Sequence, residues 1–463
     1  MSTTGGGSPP SKMDRDAVIA LARKMAEGEQ RRKPARPASA PSNDPLKTDF
    51  STLDIYQQME TQRAAADLVG LKNPYFQLHE GRAGPTTVID GRTFINFASY
   101  DYLGLNGSKE VSVAAKQAID RYGTSVSASR LTAGERPLMK ELERQLADLY
   151  RCDDALVFVS GHATNVSTIG DLMGPSDLIL FDALSHNSIT VGARLSGATR
   201  RRYGHNDTGE LANILDRDRA KHDRVLIVVE GLYSMDGDIP DLPGLIELKN
   251  RYGAWLMVDE AHALGVLGGN GRGIHEHFGI DPAAVDIWMG TLSKTLSGCG
   301  GYIAGSHALT QILKFQASGF MFSVGIPPPV AAAASCSLDL MAAEPERVAR
   351  LQENGRLFID AARNAGLDTG LSQGFSIVPV IVGDSLRTVK LCNLLMEHGI
   401  FTTPVTYPAV PMKDARIRFF VTSEHTREQI EAAVRITARE LSRLDDENFG
   451  LASAAASMAG KPA

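Results

Sequence analysis

Between Val111 and Glu344 the chain carries a series of short apolar runs: ALVFV (155–159), LILF (178–181), VLIVVE (225–230), AWLMVDE (254–260), DIWMG (286–290) and GGYIAG (300–305). Runs this short, without polar alternation, are strands buried on both faces. Their separation by helical stretches dictates an α/β unit around a mainly parallel sheet. Such sheets place ligands at the carboxyl ends of their strands. At 463 residues the chain exceeds what one core organises, so a second packed unit is expected.

That unit follows Glu344. A helix over Arg347–Ala365, a strand in FSIVPVIV, a helix over Leu386–Gly399, a strand in RIRFFV and a helix over Thr426–Leu444 read as a smaller α+β domain. The expected division is therefore 1–45 as a flexible extension, 46–105 as an N-terminal segment, 106–345 as the large domain, 346–445 as the small domain and 446–463 as a frayed tail. A short helix over Arg15–Glu29, an amphipathic stretch over Asp49–Leu68 and a strand over Thr93–Ala98 are also predicted.

The 48 Lys and Arg against 54 Asp and Glu give a net charge of -6 without a long basic stretch, which argues against nucleic acid and acidic membranes as partners. Cys152, Cys299, Cys336 and Cys392 lie far apart, arguing against a zinc site or a disulfide framework; no metal is expected, and a reducing cytoplasm fits. The N-terminus lacks the apolar core of a secretory signal and no apolar run is long enough to span a bilayer, so a soluble protein is expected.

Five motifs sit just past strands. In GTLSKTLSGCGG (290–301), Lys294 is surrounded by small and hydroxyl residues that let a ligand approach; alone, the segment also reads as a surface lysine in a Gly-rich loop. In VDEAH (258–262), Asp259 ends a strand pointing into the sheet crevice, where a buried carboxylate needs a cationic partner such as a protonated pyridine nitrogen; a helix-capping Asp beside a structural His262 is the alternative. In FVSGHATN (158–165), Gly161 and His162 begin a helix whose backbone N–H groups favour a phosphate dianion, although tight connections often need glycine anyway. His186 of DALSHNS can lie flat over an aromatic ligand or be structural, and Ser234 of EGLYSMDGD can donate to a ring oxygen or simply form a turn. Their occurrence in this order, each after a predicted strand, favours the ligand reading over five separate accidents.

Together with SYDYLGL, GTSVSASRLTAGERPLMKELE, RRYGHND, FSVGIPPP and ARIRFFVTSEHT, these motifs resemble the α-oxoamine synthases, fold-type-I pyridoxal-phosphate enzymes, from about Asp49 to Leu444. The resemblance implies pyridoxal 5′-phosphate held as a Schiff base on Lys294, with Asp259 on the pyridine nitrogen and His186 stacked on the ring. It places Ser234 and His262 near the phenolic oxygen, and Gly161, His162 and Thr291 on the phosphate. It also implies a homodimer in which Ser323 reaches the neighbouring subunit's site, and an amino-acid carboxylate bound by Arg418, with Arg416 structural and His205 in a turn before a helix capped by Asn206 or Asp207.

The implied reaction condenses a small amino acid with an acyl thioester, of coenzyme A or an acyl-carrier protein, releasing carbon dioxide, free thiol and an α-aminoketone. Transamination on the same scaffold, sphingoid-base synthesis of the serine palmitoyltransferase type and a catalytically silent partner subunit are the alternatives. Tyr100 stands where many family members have Asn and is similar to the serine palmitoyltransferase branch. His162 replaces a usual Phe or Tyr, and Val324, Gly325, Thr406 and Ala409 also depart from the family pattern.

Overall fold

The computed structural model describes residues 48–451; the helix predicted over Arg15–Glu29 and most of the C-terminal tail lie outside them. A hairpin of β1 (Thr86–Ile89) and β2 (Arg92–Asn96) precedes the large sheet. That sheet contains β3 (Asp154–Phe158), β4 (Leu178–Asp182), β5 (Thr199–Tyr203), β6 (Val225–Glu230), β7 (Trp255–Asp259), β8 (Ile287–Thr291) and β9 (Gly301–Gly305). Their spatial order is β3-β9-β8-β7-β6-β4-β5, parallel except for β9, which runs against both neighbours.

Each predicted run is a strand, shifted by no more than a residue at either end. Alternate residues feed two cores: Val157, Leu180, Ile227, Leu256 and Trp288 face one side, and Phe158, Ile179, Val228, Met257 and Met289 the other. Strand β5 was not predicted. Its sequence TRRRY buries only Tyr203, because an edge strand needs one packed face and gains from charge along its free side.

The C-terminal sheet is antiparallel, β10 (Ile377–Ile381), β13 (Arg416–Phe420) and β12 (Thr403–Val405) in that order, while the two-residue β11 (Ile400–Phe401) leaves it to pair in parallel with β2. Residues 92–103 are thus joined to the C-terminal unit: Phe97 packs edge-on against Phe358 and Phe419, and its carbonyl accepts the Phe420 N–H. The expected helices run over Glu346–Asn364, Ser385–Glu397 and Arg427–Asp446, the last opened by a capping box between Thr426 and Gln429.

The stretch Asp49–Leu68 departs from expectation. It is a single 3₁₀ turn followed by a helix, Asp54–Leu68, whose Ile55, Met59 and Leu68 are exposed rather than gathered on a buried face. Among the described residues no helix is long and apolar enough to cross a membrane.

Candidate active site

The carboxyl ends of β3, β4, β6, β7 and β8 open on a cavity of about 220 Å3 lined by Gly161, His162, Asn165, His186, Glu230, Asp259, His262, Thr291 and Lys294, among others. Of the ten residues singled out from sequence, seven share the cavity; Ser234 and Ser323 do not line it, and Arg418 approaches from β13.

Lys294 follows β8. Burial lowers its amine to about 8, although the negative charges of Asp259 and Glu230 oppose the shift. Its Nζ lies 5.8 Å from the Tyr100 ring centroid and has no hydrogen-bond or ion-pair partner among the described residues. Asp259 ends β7 and is buried; Oδ2 accepts from Asn165 Nδ2 at 2.8 Å and Oδ1 from the Ala261 N–H at 2.9 Å. No helix follows until Ile274, so Asp259 caps none; it braces a local turn and lines the cavity.

His186 caps the helix Asn187–Leu195. Asn165 Nδ2 donates to Ser188 Oγ at 2.9 Å, so the Ser188 hydroxyl proton is free to go to His186 Nδ1, 2.7 Å away, and Nε2 carries the ring's own proton. Burial lowers the pKa of His186, in keeping with a neutral imidazole. The His186 N–H donates to Glu230 Oε1 at 2.6 Å, and burial raises that carboxyl to about 8. His262 is neutral for the same reason, burial first and then the Lys294 charge, and its Nδ1 lies 2.6 Å from the Tyr102 hydroxyl. That contact ties SYDYLGL to VDEAH.

The phosphate end is built by close approach. Ser160 caps the helix Gly161–Leu172, leaving the N–H groups of Gly161 and His162 without partners among the described residues. A Cβ on Gly161 would lie 2.9 Å from Thr291 Oγ, and one on Gly301 would lie 2.7 Å from the Gly161 Cα, so both glycines are needed for β9 and the helix start to meet. Thr291 Oγ donates to the Gly300 carbonyl at 3.0 Å and lies 2.7 Å from Ser293 Oγ.

Ser234 was expected to reach the ring with its hydroxyl. It lies in the turn after β6, and its carbonyl accepts from Arg418 Nη1 at 2.7 Å. Arg418 also lies over the Phe420 ring, 5.1 Å from guanidinium to centroid, and its buried Nε is unsatisfied. Arg416 pairs with Asp236 at 2.7 Å, the structural role expected of it. An unpartnered lysine, a carboxylate facing it, free N–H groups at a helix start and an unfilled guanidinium fit pyridoxal phosphate and an amino-acid carboxylate.

Residues 92–436 match the aminotransferase class I and II family. The 8-amino-7-oxononanoate synthase of Symbiobacterium thermophilum is 40% identical over 370 residues, 80% of this chain and 94% of that protein. The serine palmitoyltransferase of Sphingomonas wittichii has a similar structure, with TM-score 0.81 and 30% identity over 86% of this chain and 99% of that one. The 8-amino-7-oxononanoate synthase of Francisella tularensis matches at TM-score 0.67 and 27% identity, covering 76% and 98%.

The chain belongs to the α-oxoamine synthases. This α-oxoamine synthase is a pyridoxal-phosphate enzyme that condenses a small amino acid with an acyl thioester, releasing carbon dioxide, thiol and an α-aminoketone. Sequence reasoning missed Asn165, Ser188, Tyr102 and Glu230, whose parts depend on partners distant in the chain. The one available signal was Asn165, four residues after Gly161 and so on the same helix face.

Gly161→Ala is expected to raise the cofactor's dissociation constant on the order of tenfold, since the added methyl overpacks against Thr291. Titrating the apoenzyme with pyridoxal phosphate and following the visible absorbance checks this; unchanged affinity would remove Gly161 from the cradle.

Proposed function

We propose that Lys294, Asp259 and His186 carry the catalysis in this α-oxoamine synthase. Gly161, His162 and Thr291 hold the cofactor phosphate, His262 lies by its ring, and Arg418 receives the amino-acid carboxylate, steadied by the Ser234 carbonyl. The observation that carries this reading is an unpartnered amine of lowered pKa at Lys294 sharing one cavity with the Asp259 carboxylate.

Pyridoxal phosphate, when bound, supplies the electron sink for the negative charge developing at the amino-acid α-carbon. Asp259, fixed by Asn165 and the Ala261 N–H, would hold a proton on the pyridine nitrogen through its negative charge. Lys294, its amine held near 8 by burial, would be neutral in a usable fraction near that pH and would remove the α-proton. Its low pKa comes from burial, so the same enclosure that excludes water prepares the base. Arg418 orients the substrate carboxylate through two parallel N–H donors, one of them its unsatisfied Nε.

The product named by the relatives carries an amine on carbon 8 beside a ketone on carbon 7 of a nine-carbon acid. Disconnecting the bond between those carbons and restoring the lost carbon dioxide gives alanine and a seven-carbon acyl group ending in a carboxylate. We assign that pair as the substrates. Crossing alanine, glycine and serine with carboxyl-ended seven-carbon and long unbranched thioesters, on both coenzyme A and acyl-carrier protein, and measuring thiol release tests it. The expected preference is alanine with the carboxyl-ended donor; preference for serine with a long acyl chain would replace it by sphingoid-base synthesis.

A homodimer completes the reading. Ser323 lies between Phe322 and Val324, 85% and 48% exposed, as expected of a segment that a second subunit covers. The four cysteines are unpaired, in keeping with a cytoplasmic enzyme.

A further inference from the structure

His205 does not line the cofactor cavity, yet it is the centre of a buried cluster joining two loops on which the cavity depends. It follows β5 and sits between Asp182, the last residue of β4, and Asp238, in the turn after β6. Nδ1 is 2.8 Å from Asp182 Oδ1, and Nε2 is 2.8 Å from Asp238 Oδ2. A neutral imidazole has one N–H, so two carboxylate contacts of hydrogen-bond length require the doubly protonated ring. Burial alone would lower the pKa of His205; the hydrogen bonds and charges of the two aspartates outweigh it and raise the value to about 10. The ring is more than part of a turn, and Asp207 rather than Asn206 caps the helix that follows.

The surrounding donors are matched to these carboxylates. Asp182 accepts the N–H groups of Leu184 at 2.7 Å and Asn206 at 2.8 Å, and Asn206 Nδ2 donates to Asp238 Oδ2 at 2.8 Å. Tyr233 packs edge-on against the imidazole, with centroids 4.6 Å apart, and its N–H donates to the Asp238 carbonyl.

Each aspartate anchors a loop that ends at the site. Asp182 opens the four-residue connection to His186, and its carbonyl accepts the Ser185 N–H. Asp238 closes the turn containing Ser234, whose carbonyl accepts from Arg418. We propose that His205 is a positioning residue: its imidazolium, bridging Asp182 and Asp238, fixes the His186 loop against the Ser234 loop and so sets the stacking ring relative to the carboxylate-binding arginine. The proposal rests on the roles given above to His186 and Arg418.

The titratable groups around the ring are Asp182 from β4, Asp238 from the turn after β6, Tyr203 beside Asp182 and Tyr233 over the ring; burial holds both phenols well above their usual pKa and therefore neutral. Because the folded pKa of His205 is raised above the unfolded value of about 6.5, its contribution to stability is fully present below that pH and disappears as pH rises through about 10.

The test compares the His205→Gln and wild-type holoenzymes by KM for the amino acid, kcat, the visible circular dichroism of bound cofactor and melting temperature against pH. Expected are a KM raised on the order of tenfold or more, an altered dichroic band, and a melting-temperature deficit that is largest near pH 6 and closes toward pH 10. A lowered melting temperature with unchanged KM and dichroism would reduce His205 to a structural residue and overturn the proposal. Should His205→Gln fail to fold, Asp238→Asn retains the ring and one carboxylate, and wild-type KM and dichroism there overturn it equally. Arg418→Lys, run in parallel, separates the two levels. A raised KM there with a wild-type KM in His205→Gln defeats the clamp alone, whereas a wild-type KM in Arg418→Lys defeats the assignment of Arg418 and the proposal with it.

Discussion

Lys294→Ala is expected to abolish turnover, lowering kcat by a factor on the order of 10²–10⁴ or more, while the protein still folds and still takes up pyridoxal phosphate noncovalently. The size follows from the lining of the cavity. Of the other nitrogen bases lining the cavity, His186 and His262 have their Nδ1 atoms engaged by Ser188 and Tyr102, and His162 belongs to the helix start at the phosphate end; Glu230 accepts the His186 N–H, so none is placed as Lys294 is. Lys294→Arg distinguishes a base from a charge. A guanidinium keeps the cation but stays protonated, so the arginine variant should be nearly as inactive as the alanine variant. Thiol release measured at saturating substrate checks both; activity within tenfold of wild type in either would remove Lys294 from proton transfer.

Asp259→Asn is expected to cost about 10²–10³ in kcat with little loss of stability. The amide has the shape of the carboxylate and can keep the Ala261 N–H bond, but it carries no charge to hold a proton on the pyridine nitrogen. Asn165 then faces an amide instead of an anion, so Asp259→Asn also loosens the Asn165–Ser188–His186 chain. Removing the Asp259 charge shifts its neighbours in a defined sense. It supports the protonated state of Lys294 and opposes ionisation of Glu230, so both pKa values fall in the variant. Exchange of the amino-acid α-hydrogen with solvent deuterium, followed without acyl donor, isolates the affected step; exchange at the wild-type rate would show that the carboxylate is dispensable.

How much of this was readable from the chain depended on whether local pattern or distant partners fixed each part. Strands β3, β4 and β6–β9 were legible because burial on both faces leaves an unbroken apolar run. Strand β5 was not, since TRRRY looks like surface and becomes a strand only through its pairing with β4. Lys294, Asp259, His186 and Gly161 were found because each follows a readable strand and the sheet brings strand ends together. Ser234 met the same criterion, but only the approach of β13 shows that its carbonyl accepts from Arg418. In the motif GTSVSASRLTAGE, the sequence could not reveal that Arg130 is spent on Glu143, 2.6 Å away, and Glu135, 2.8 Å away, locking the segment instead of touching ligand.

The parallel pairing of β11 with β2 bears on synthesis. Ile95 and Phe94 leave the ribosome about 300 residues before Ile400 and Phe401, which complete their small sheet, and at roughly 5–20 residues per second that interval lasts on the order of 15–60 s. Throughout it the nascent chain presents an apolar hairpin whose third strand does not yet exist, and Phe97 waits as long for Phe419. Co-translational folding can thus finish the seven-stranded sheet while the first strands made are among the last to be covered, which makes this hairpin the natural place for a chaperone to hold the growing enzyme.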